Sequence, residues 1–408
     1  MKRLIAAALT LLCVAAAQRS SAPHWAAGTI SAAPYPYIRG SVIPLDVTGI
    51  RGPFAFVTSS DAAVEDGRLT LSDSTGTSAT VIAAGRKGLA MHNFAVTAPP
   101  PADRAFIAVA SYDDGVVIHD PQAPFTVRGV LGIGGAPADV AIDSRGVLAS
   151  ADTDGTTATL ASLQPWQVRT IGGVPFADEL AFDSRTGALF VTDRDIDGFG
   201  AITRIDPDGT TRHRVLGLTS EGLAVDPKRG LVYVANVNDG SVSVVDAGTL
   251  VERRRFHAVS RVFSLALSAD GALLYAVSNQ SLDSPFAAPG GVVLYDVRGT
   301  RSHLLARSGP LHFPVGIALD EAYHRIYVTD ESDDSIDVLD AHTLRPLHDP
   351  LQTCDVPWKP QVDDGLLYVP CARSGRIDVF DTRTLHRIAG APFITGGYPL
   401  AVAIWHGR

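Results

Sequence analysis

Acidic side chains recur at two adjacent positions that precede a repeated apolar motif in this sequence. Asp139 and Glu179 stand directly before VAID and LAFD, as Asp46 and Asn93 do before earlier copies, whereas Glu221 and His92 stand one residue further from their copies. Oxygen-rich clusters suit Ca²⁺ or Mg²⁺, and such an ion could polarise a carbonyl in lactone hydrolysis or a lyase step. The candidate metal ligands are therefore Asp139, Glu179, Glu221 and His92. A water-filled polar channel without a ligand is the alternative.

Aromatic residues form a second candidate set. Four of them precede copies of the same motif: Phe263, Phe313, Trp358 and Tyr398. If their rings share one face, they offer a platform for a peptide or glycan. Alternatively, they plug a channel or pack between neighbouring sheets.

Other catalytic templates do not occur in the sequence. It contains no Gly-x-Ser-x-Gly elbow, no Walker loop and no His-Glu-x-x-His helix. Short acidic loops recur instead, and none has the spacing of a calcium-binding loop. These loops span residues 61–66, 112–115, 193–197, 236–240 and 330–335. The sequence thus identifies no catalytic residue, and it indicates no cofactor other than the divalent ion considered above.

The elements that position these residues belong to an internal repeat. An alternating apolar segment ending in Asp recurs, as in VSVVD (242–246), IDVLD (336–340) and IDVFD (377–381). Successive copies lie roughly 40 to 50 residues apart, which is typical of propeller blades or helical pairs. The period of two and the Val, Ile, Tyr and Phe content favour strands. Each repeat holds four strand-like pieces, which predicts an all-β propeller of four-stranded blades.

The number of motif copies favours eight blades, and seven is the alternative. The innermost-strand motif occurs nine times if residues 44–50 and 399–405 are both counted. The surplus copy suggests that a C-terminal strand joins the N-terminal blade and removes an open sheet edge. In the seven-blade alternative, residues 44–50 and their neighbours form a cap.

The Asp that ends each third strand has a local structural role. In DAGTL (246–250), DAHTL (340–344) and DTRTL (381–385), it is placed to accept backbone N–H bonds in an Asx-type turn, aided by the following Thr. Because it recurs in every repeat, we assign it to the blade and not to catalysis.

Second-strand segments carry a family likeness. Residues 190–193 (FVTD), 233–236 (YVAN) and 327–330 (YVTD) resemble the YVTN-repeat (YncE-like) β-propeller family, related to NHL and YWTD-type propellers. The likeness is good over residues 130–408 and loose over 38–129. It implies a propeller of the kind found in exported bacterial and archaeal proteins of binding or unassigned function. The related lactonase and lyase propellers are metal-dependent enzymes.

The N-terminus has the pattern of an export signal. Lys2 and Arg3 precede an apolar run to Val14, and residues 15–17 offer a small-residue cleavage site. We therefore expect a signal peptide at 1–17, a linker or N-terminal arm at 18–37, and the propeller at 38–408. The apolar run is shorter than a membrane span requires. A periplasmic or secreted bacterial protein, with no membrane span in its mature chain, is expected.

Composition limits the partners. The 408 residues are 46% hydrophobic and 19% charged, with 43 acidic against 34 basic side chains. An acidic chain of this kind argues against nucleic-acid binding. We expect a monomer whose partner is an unidentified protein, peptide or small molecule.

Two cysteines lie close enough to pair. If residues 362–365 form a hairpin, Cys371 falls opposite about Pro357, three residues from Cys354. A disulfide between them would persist in an oxidising compartment. Two separate thiols are the alternative.

Together these features predict an exported, non-enzymatic β-propeller that serves as a ligand-binding or protein-interaction scaffold. The alternative is a divalent-metal-dependent lactonase or lyase with its site at the mouth of the central channel.

Overall fold

The computed structural model describes residues 26–59, 61–194, 198–279 and 290–408. Strands, turns and loops make up this part of the chain, and it contains no helix, so no described helix is available to cross a membrane. The predicted all-β class agrees with this content. The predicted signal peptide at 1–17 lies outside the described residues.

Thirty-seven strands are present in the described ranges. The N-terminal strands are β1 (Ala26–Ile30), β2 (Tyr37–Ile38), β3 (Val42–Pro44), β4 (Val47–Thr48), β5 (Arg51–Thr58), β6 (Ala62–Glu65), β7 (Arg68–Leu71), β8 (Ser78–Arg86) and β9 (Gly88–Thr97). The next are β10 (Phe106–Ser111), β11 (Gly115–His119), β12 (Val127–Leu131), β13 (Pro137–Ile142), β14 (Val147–Asp152), β15 (Thr157–Leu163), β16 (Trp166–Gly172), β17 (Ala177–Phe182), β18 (Leu189–Arg194), β19 (Gly200–Ile205) and β20 (Thr211–Val215).

The remaining strands complete the C-terminal half. They are β21 (Ser220–Asp226), β22 (Leu231–Asn236), β23 (Ser241–Asp246), β24 (Glu252–His257), β25 (Val262–Leu267), β26 (Leu273–Ser278), β27 (Gly291–Asp296), β28 (His303–Arg307), β29 (Pro314–Asp320), β30 (Arg325–Asp330), β31 (Ser335–Asp340), β32 (Leu351–Gln352), β33 (Gln361–Asp363), β34 (Leu366–Cys371), β35 (Arg376–Asp381), β36 (Phe393–Ile394) and β37 (Pro399–Trp405).

Six antiparallel sheets of four strands follow one another along the chain from β13 to β36. Within each sheet, neighbours in sequence are neighbours in space, as expected of blades joined by tight turns. The middle strands β22 and β23 are buried on both faces, whereas the outer strand β24 alternates between half-buried and exposed residues. This gradient explains why Val, Tyr and Ala fill the middle strands and Arg is tolerated on the outer ones.

The C-terminal strand completes a further sheet. β37 pairs antiparallel with β10, from Phe106 opposite Trp405 to Ser111 opposite Pro399, and β11 and β12 continue outward. β37 also contacts β13 on one side and β33 on the other, while the intervening first strands contact one another in chain order. The C-terminal strand therefore covers an edge of the β10 sheet that would otherwise be unpaired.

The N-terminal strands depart from the pattern that the eight-blade count requires. β8 and β9 form a long hairpin, and β1 pairs with β9 in parallel. β4 belongs to residues 44–50, which the sequence predicts as an innermost strand, but only two residues of β4 pair with β1. Neither this segment nor β9 begins a four-stranded sheet. Gly49, with φ of 78°, ends β4 after two residues, so the short apolar run does not extend into a blade strand.

The segment expected to be a linker or arm is partly sheet. β1 lies in it and β2 begins at its last residue, Tyr37, whose ring is buried against Phe94 with ring centroids 5.9 Å apart. Burial of this aromatic ties residues 26–38 to the N-terminal sheet.

The structural role predicted for the strand-ending Asp residues is confirmed. The Asp246 carboxylate accepts backbone N–H bonds from Gly248 and Thr249 at 3.1 and 2.9 Å. Asp340 accepts the corresponding bond from Thr343 at 2.7 Å, and Asp381 accepts one from Thr384 at 2.7 Å. These carboxylates therefore close the turns that follow the third strands.

Cys354 and Cys371 are joined by a disulfide, with their Cα atoms 5.6 Å apart. Pro357 pairs with Cys371, which is the register expected from the 362–365 hairpin. Both half-cystines are buried, so the bridge fixes the loop that leads into β33.

We predict that Trp405→Ala lowers the free energy of unfolding by about 3–5 kcal/mol, since it empties a buried site. Trp405 packs with Phe106 and Leu148 and donates its indole N–H to the Ala102 carbonyl at 2.9 Å. Urea denaturation measures the change. Leu347→Ala, at a side chain that is half exposed, is the control and should cost less than about 0.5 kcal/mol. Equal effects of the two substitutions would mean that β37 is not docked.

A second prediction concerns the disulfide. Replacing both Cys354 and Cys371 with Ser should lower the free energy of unfolding by roughly 3 kcal/mol, because the bridge closes a loop of 17 residues in the unfolded chain. Thermal unfolding with and without a reductant gives the same comparison for the native chain. If the reductant leaves the melting temperature of the native chain unchanged, the predicted contribution of the disulfide to stability is wrong.

Candidate functional site

Irregularities in three neighbouring first strands place the candidate carboxylates. The register shifts between Pro137 and Asp139 in β13, between Ala177 and Leu180 in β17, and again near the start of β21. Such bulges re-aim side chains and are common beside functional sites. Glu179 and Glu221 lie within such shifts, and Asp139 lies at the edge of one, so all three carboxylates stand where the first strands are irregular.

Lys359 binds two of these carboxylates. Its ammonium nitrogen lies 2.6 Å from an Asp139 oxygen and 3.5 Å from a Glu179 oxygen. Lys359 precedes β33, whereas the two acids belong to β13 and β17, so this contact spans sequence positions 220 residues apart. The two carboxylates hold the pKa of Lys359 above its usual range, and the lysine therefore carries a fixed positive charge.

The same carboxylates also bind the backbone of the next sheet. An Asp139 oxygen accepts the N–H of Leu180 at 3.0 Å, and a Glu179 oxygen accepts the N–H of Leu223 at 3.1 Å. Each acid thus reaches from its own first strand to the following one. This contact gives both residues a structural role in addition to any role in binding.

Arg194 supplies the second cation of the site. It forms an ion pair with Asp178 at 2.5 Å and lies 3.6 Å from a Glu221 oxygen. The other Glu221 oxygen is buried without a hydrogen-bond partner among the described residues. Glu221 therefore has less compensation than the other acids.

Burial and crowding of like charges perturb two acids. Burial, opposed by Lys359 and reinforced by Asp139 and Asp178, raises the pKa of Glu179 to about 7. Burial and the Asp178 carboxylate raise the pKa of Glu221 to about 8, although Arg194 opposes the change. Both acids therefore keep their protons to a higher pH than an exposed carboxyl does, because burial and neighbouring carboxylates disfavour their ionised forms.

Two cavities share the Lys359–Asp139 pair, since both residues line each of them. The Trp358 cavity, of about 210 Å³, is lined by residues that include Tyr112, Asp154, Arg194, Phe263 and Trp358. The Pro360 cavity, of about 410 Å³, is lined by Pro360, Asp363 and first-strand residues of β13, β17 and β37. The ion pair thus belongs to the walls of both spaces.

The aromatic candidates divide into two groups. Phe263 and Trp358 meet edge to face with centroids 6.1 Å apart and line the Trp358 cavity. Tyr398 packs with Trp358 around Leu400. Phe313 is absent from the lining of both described cavities, and its backbone N–H bonds Asp330. The four rings do not form one platform in the described part of the chain.

The candidate metal ligands are not brought together as a set. His92 lies on β9 in the N-terminal sheet and stacks edge to face on Phe94 at 4.6 Å, and Asp46 and Asn93 are exposed in the same region. Within the described ranges, one group of three such residues has ligand atoms within 4.8 Å of one another, Cys354, Cys371 and Asp378, and its sulfurs form the disulfide. Asp139 and Glu179 meet Lys359 instead.

Sequence reasoning missed Lys359 and Arg194. Lys359 was overlooked because the last repeat lacks the apolar pair on which the column was aligned. Arg194 ends β18, although the sequence predicts an acidic loop over residues 193–197. A signal was present for both: each is a lone cation beside a column or loop of carboxylates.

Similar solved structures establish the fold class. A protein of unknown function from Desulfotomaculum acetoxidans has 15% identity and a TM-score of 0.61, covering 74% of this chain and 99% of that one. The β-propeller domain of Cps50 (Swd1) from Myceliophteria thermophila has 13% identity and a TM-score of 0.56, covering 68% and 93%. The chain is a β-propeller.

A third similar structure is a candidate 6-phosphogluconolactonase from Bacteroides fragilis, with 11% identity and a TM-score of 0.60, covering 75% of this chain and 99% of that one. At these identities the likeness concerns the fold alone. No family model matches the chain, and no curated protein does. The propeller is thus assigned, and the particular repeat family is not.

We predict that the stability of the native chain falls as the pH rises from about 5 to about 8, because native Glu221 keeps a proton that the unfolded chain releases. Its pKa rises from 4.5 to about 8 on folding, and stability declines with pH wherever the native state binds more protons. Glu221→Gln should raise the free energy of unfolding by roughly 1–3 kcal/mol at pH 8 and change it little at pH 5.

Urea denaturation at both pH values measures this difference. Glu65→Gln, at an exposed carboxylate, is the matched control and should have no pH-dependent effect. A Glu221→Gln chain that is less stable than the native one at pH 8 would refute the prediction.

Proposed function

We propose that this protein is an exported, non-enzymatic β-propeller that binds a small ligand in the Trp358 cavity. The supporting observation is the Lys359 ammonium 2.6 Å from Asp139 and 3.5 Å from Glu179. It supplies positive charge where a catalytic metal would be needed, while the cavity beside it retains polar groups and three aromatic rings. Binding sites of this kind are concave and carry a few convergent polar groups.

The proposed site depends on a ring of seven blades. Six four-stranded sheets and the sheet formed by β10, β11, β12 and β37 make up the count, and contacts between successive first strands support closure. The N-terminal strands then lie outside the ring, where β2, β9, β1 and β4 extend the sheet of β10, β11 and β12, in keeping with the seven-blade alternative. The YVTN-type likeness of β18, β22 and β30 agrees with this proposal.

The proposals on export and on oligomeric state rest mainly on the sequence. The pattern of residues 1–17 supports a periplasmic or secreted protein, and the disulfide suits an oxidising compartment. We propose a monomer that does not bind nucleic acid, in line with its acid excess. The ligand can be free or carried on a partner protein.

A divalent-metal-dependent lactonase or lyase is the competing proposal. It would use Asp139, Glu179 and Glu221 around Ca²⁺ or Mg²⁺. Asp139 and Glu179 would have to exchange the Lys359 ammonium for the ion, and His92 would contribute nothing from β9.

We predict that the dialysed protein contains no stoichiometric divalent ion and that neither EDTA nor added Ca²⁺ or Mg²⁺ changes its melting temperature. Elemental analysis and thermal unfolding provide the measurements. Lys359→Met is the informative variant: it leaves two buried carboxylates without a cation, which should cost about 3–5 kcal/mol and make stability respond to divalent ions.

Two results would reverse the conclusion. Stoichiometric metal in the native chain, or metal-dependent hydrolysis of lactones, would favour the enzyme. A thermal-shift screen of varied small molecules tests binding itself: hits whose effect is lost in Trp358→Ala support the proposed site, and hits unaffected by that change place binding elsewhere.

A further inference from the structure

The Trp358 cavity has an excess of negative charge. Four carboxylates line it, against two cations: Asp139, Asp154, Asp178 and Glu179, with Arg194 and Lys359. Both cations are already in ion pairs, Lys359 with Asp139 and Arg194 with Asp178. An anionic ligand would have to displace one of these pairs, whereas a cation would relieve the excess.

Asp154 is the carboxylate that a ligand can reach without breaking an ion pair. It lies on an exposed turn and accepts a hydrogen bond from the hydroxyl of Tyr112. That hydrogen bond orients Asp154 at the cavity wall, and Tyr112 also lines the cavity. The acid is thereby held in place next to an aromatic ring.

The aromatic rings supply the second feature that favours a cation. The Trp358 carbonyl accepts a hydrogen bond from the Thr329 hydroxyl at 2.7 Å. The Trp358 ring meets the Phe263 ring edge to face. A Cβ at Gly316 would lie 2.7 Å from the same carbonyl, so only glycine lets β29 approach Trp358 this closely. Aromatic faces beside carboxylates attract alkylammonium groups, for which Trp is the strongest partner.

A metal ion fits these residues poorly. Ca²⁺ requires six to eight oxygen ligands at about 2.3–2.6 Å, and no three of the lining carboxylates have oxygens within 4.8 Å of one another among the described residues. An organic cation, in contrast, contacts its partners over a broad surface. A cavity of about 210 Å³ also exceeds the space of a single ion or water molecule.

We propose that the Trp358 cavity binds a small organic cation with an alkylammonium head group, contacting the Trp358 ring and the Asp154 carboxylate. This inference rests on the proposed ligand-binding function and names its ligand class. The head group can belong to a free amine or to a methylated lysine of another protein, because both present the same chemistry.

Choline is the first probe, and its neutral isostere 3,3-dimethyl-1-butanol is the matched control. Calorimetric titration of the full mature chain should give saturable binding of choline, with affinity at least roughly tenfold above that of the alcohol and declining as salt is added. A trimethyllysine peptide distinguishes the sources: tighter binding of the peptide indicates a protein-borne group, and tighter binding of choline a free one.

Variants locate the site. Trp358→Ala and Asp154→Asn should each weaken choline binding about tenfold, and Trp358→Phe should retain most of it. Phe313→Ala and Asp363→Asn are the controls, because Phe313 lies outside the cavity and Asp363 lines the Pro360 cavity; neither should change the affinity. Since Asp154 is exposed, Asp154→Asn keeps the test valid if Trp358→Ala does not fold.

Equal affinity for choline and the alcohol, absence of saturable choline binding, or unchanged binding in both site variants would overturn the inference. If neutral or anionic compounds bind the native chain and no longer bind Trp358→Ala, the cavity does bind a ligand, and only its assignment as a cation site fails. If no compound binds there, the proposed function itself fails.

Discussion

Lys359 reaches from the loop before β33 to carboxylates on β13 and β17, and much of the arrangement between these sheets depends on that contact. Asp139 and Glu179 also accept backbone N–H groups from the following first strands. One ammonium therefore stabilises two acids that in turn bind neighbouring sheets. Without it, two carboxylates would be buried near each other, at a cost of several kcal/mol.

This constraint also determines what the site can do. The ammonium lies within ion-pair distance of Asp139 and Glu179, and Lys359 lines both the Trp358 cavity and the Pro360 cavity. Acids that suggest metal catalysis in the sequence act here as ties between strands. Asp154, which belongs to no ion pair among the described residues, lines a cavity that also contains aromatic rings. The proposed binding function rests on that combination.

The pairing of β37 with β10 provides part of the frame around the site. β37 covers the edge of β10 and buries Trp405 beside Phe106, so both ends of the repeat region lie in one sheet. The disulfide fixes the loop before β33, which carries Trp358 and Lys359. The loop is held by the hydrogen bond from Thr329 to the Trp358 carbonyl, by the close approach of Gly316 to that carbonyl and by the disulfide. These three constraints pre-organise the cavity.

The sequence by itself determined the all-β class, the blade-forming strands from β13 onward, the Asx turns at Asp246 and Asp340, and the register of Pro357 with Cys371. Those features are local or repeat at a fixed spacing, so period and turn chemistry reveal them. The pairing of Lys359 with Asp139, the place of His92 on β9 and the departure of β4 from the repeat were decided only by the tertiary structure. A contact across 220 residues leaves no periodic trace, because it depends on how separate sheets meet in space.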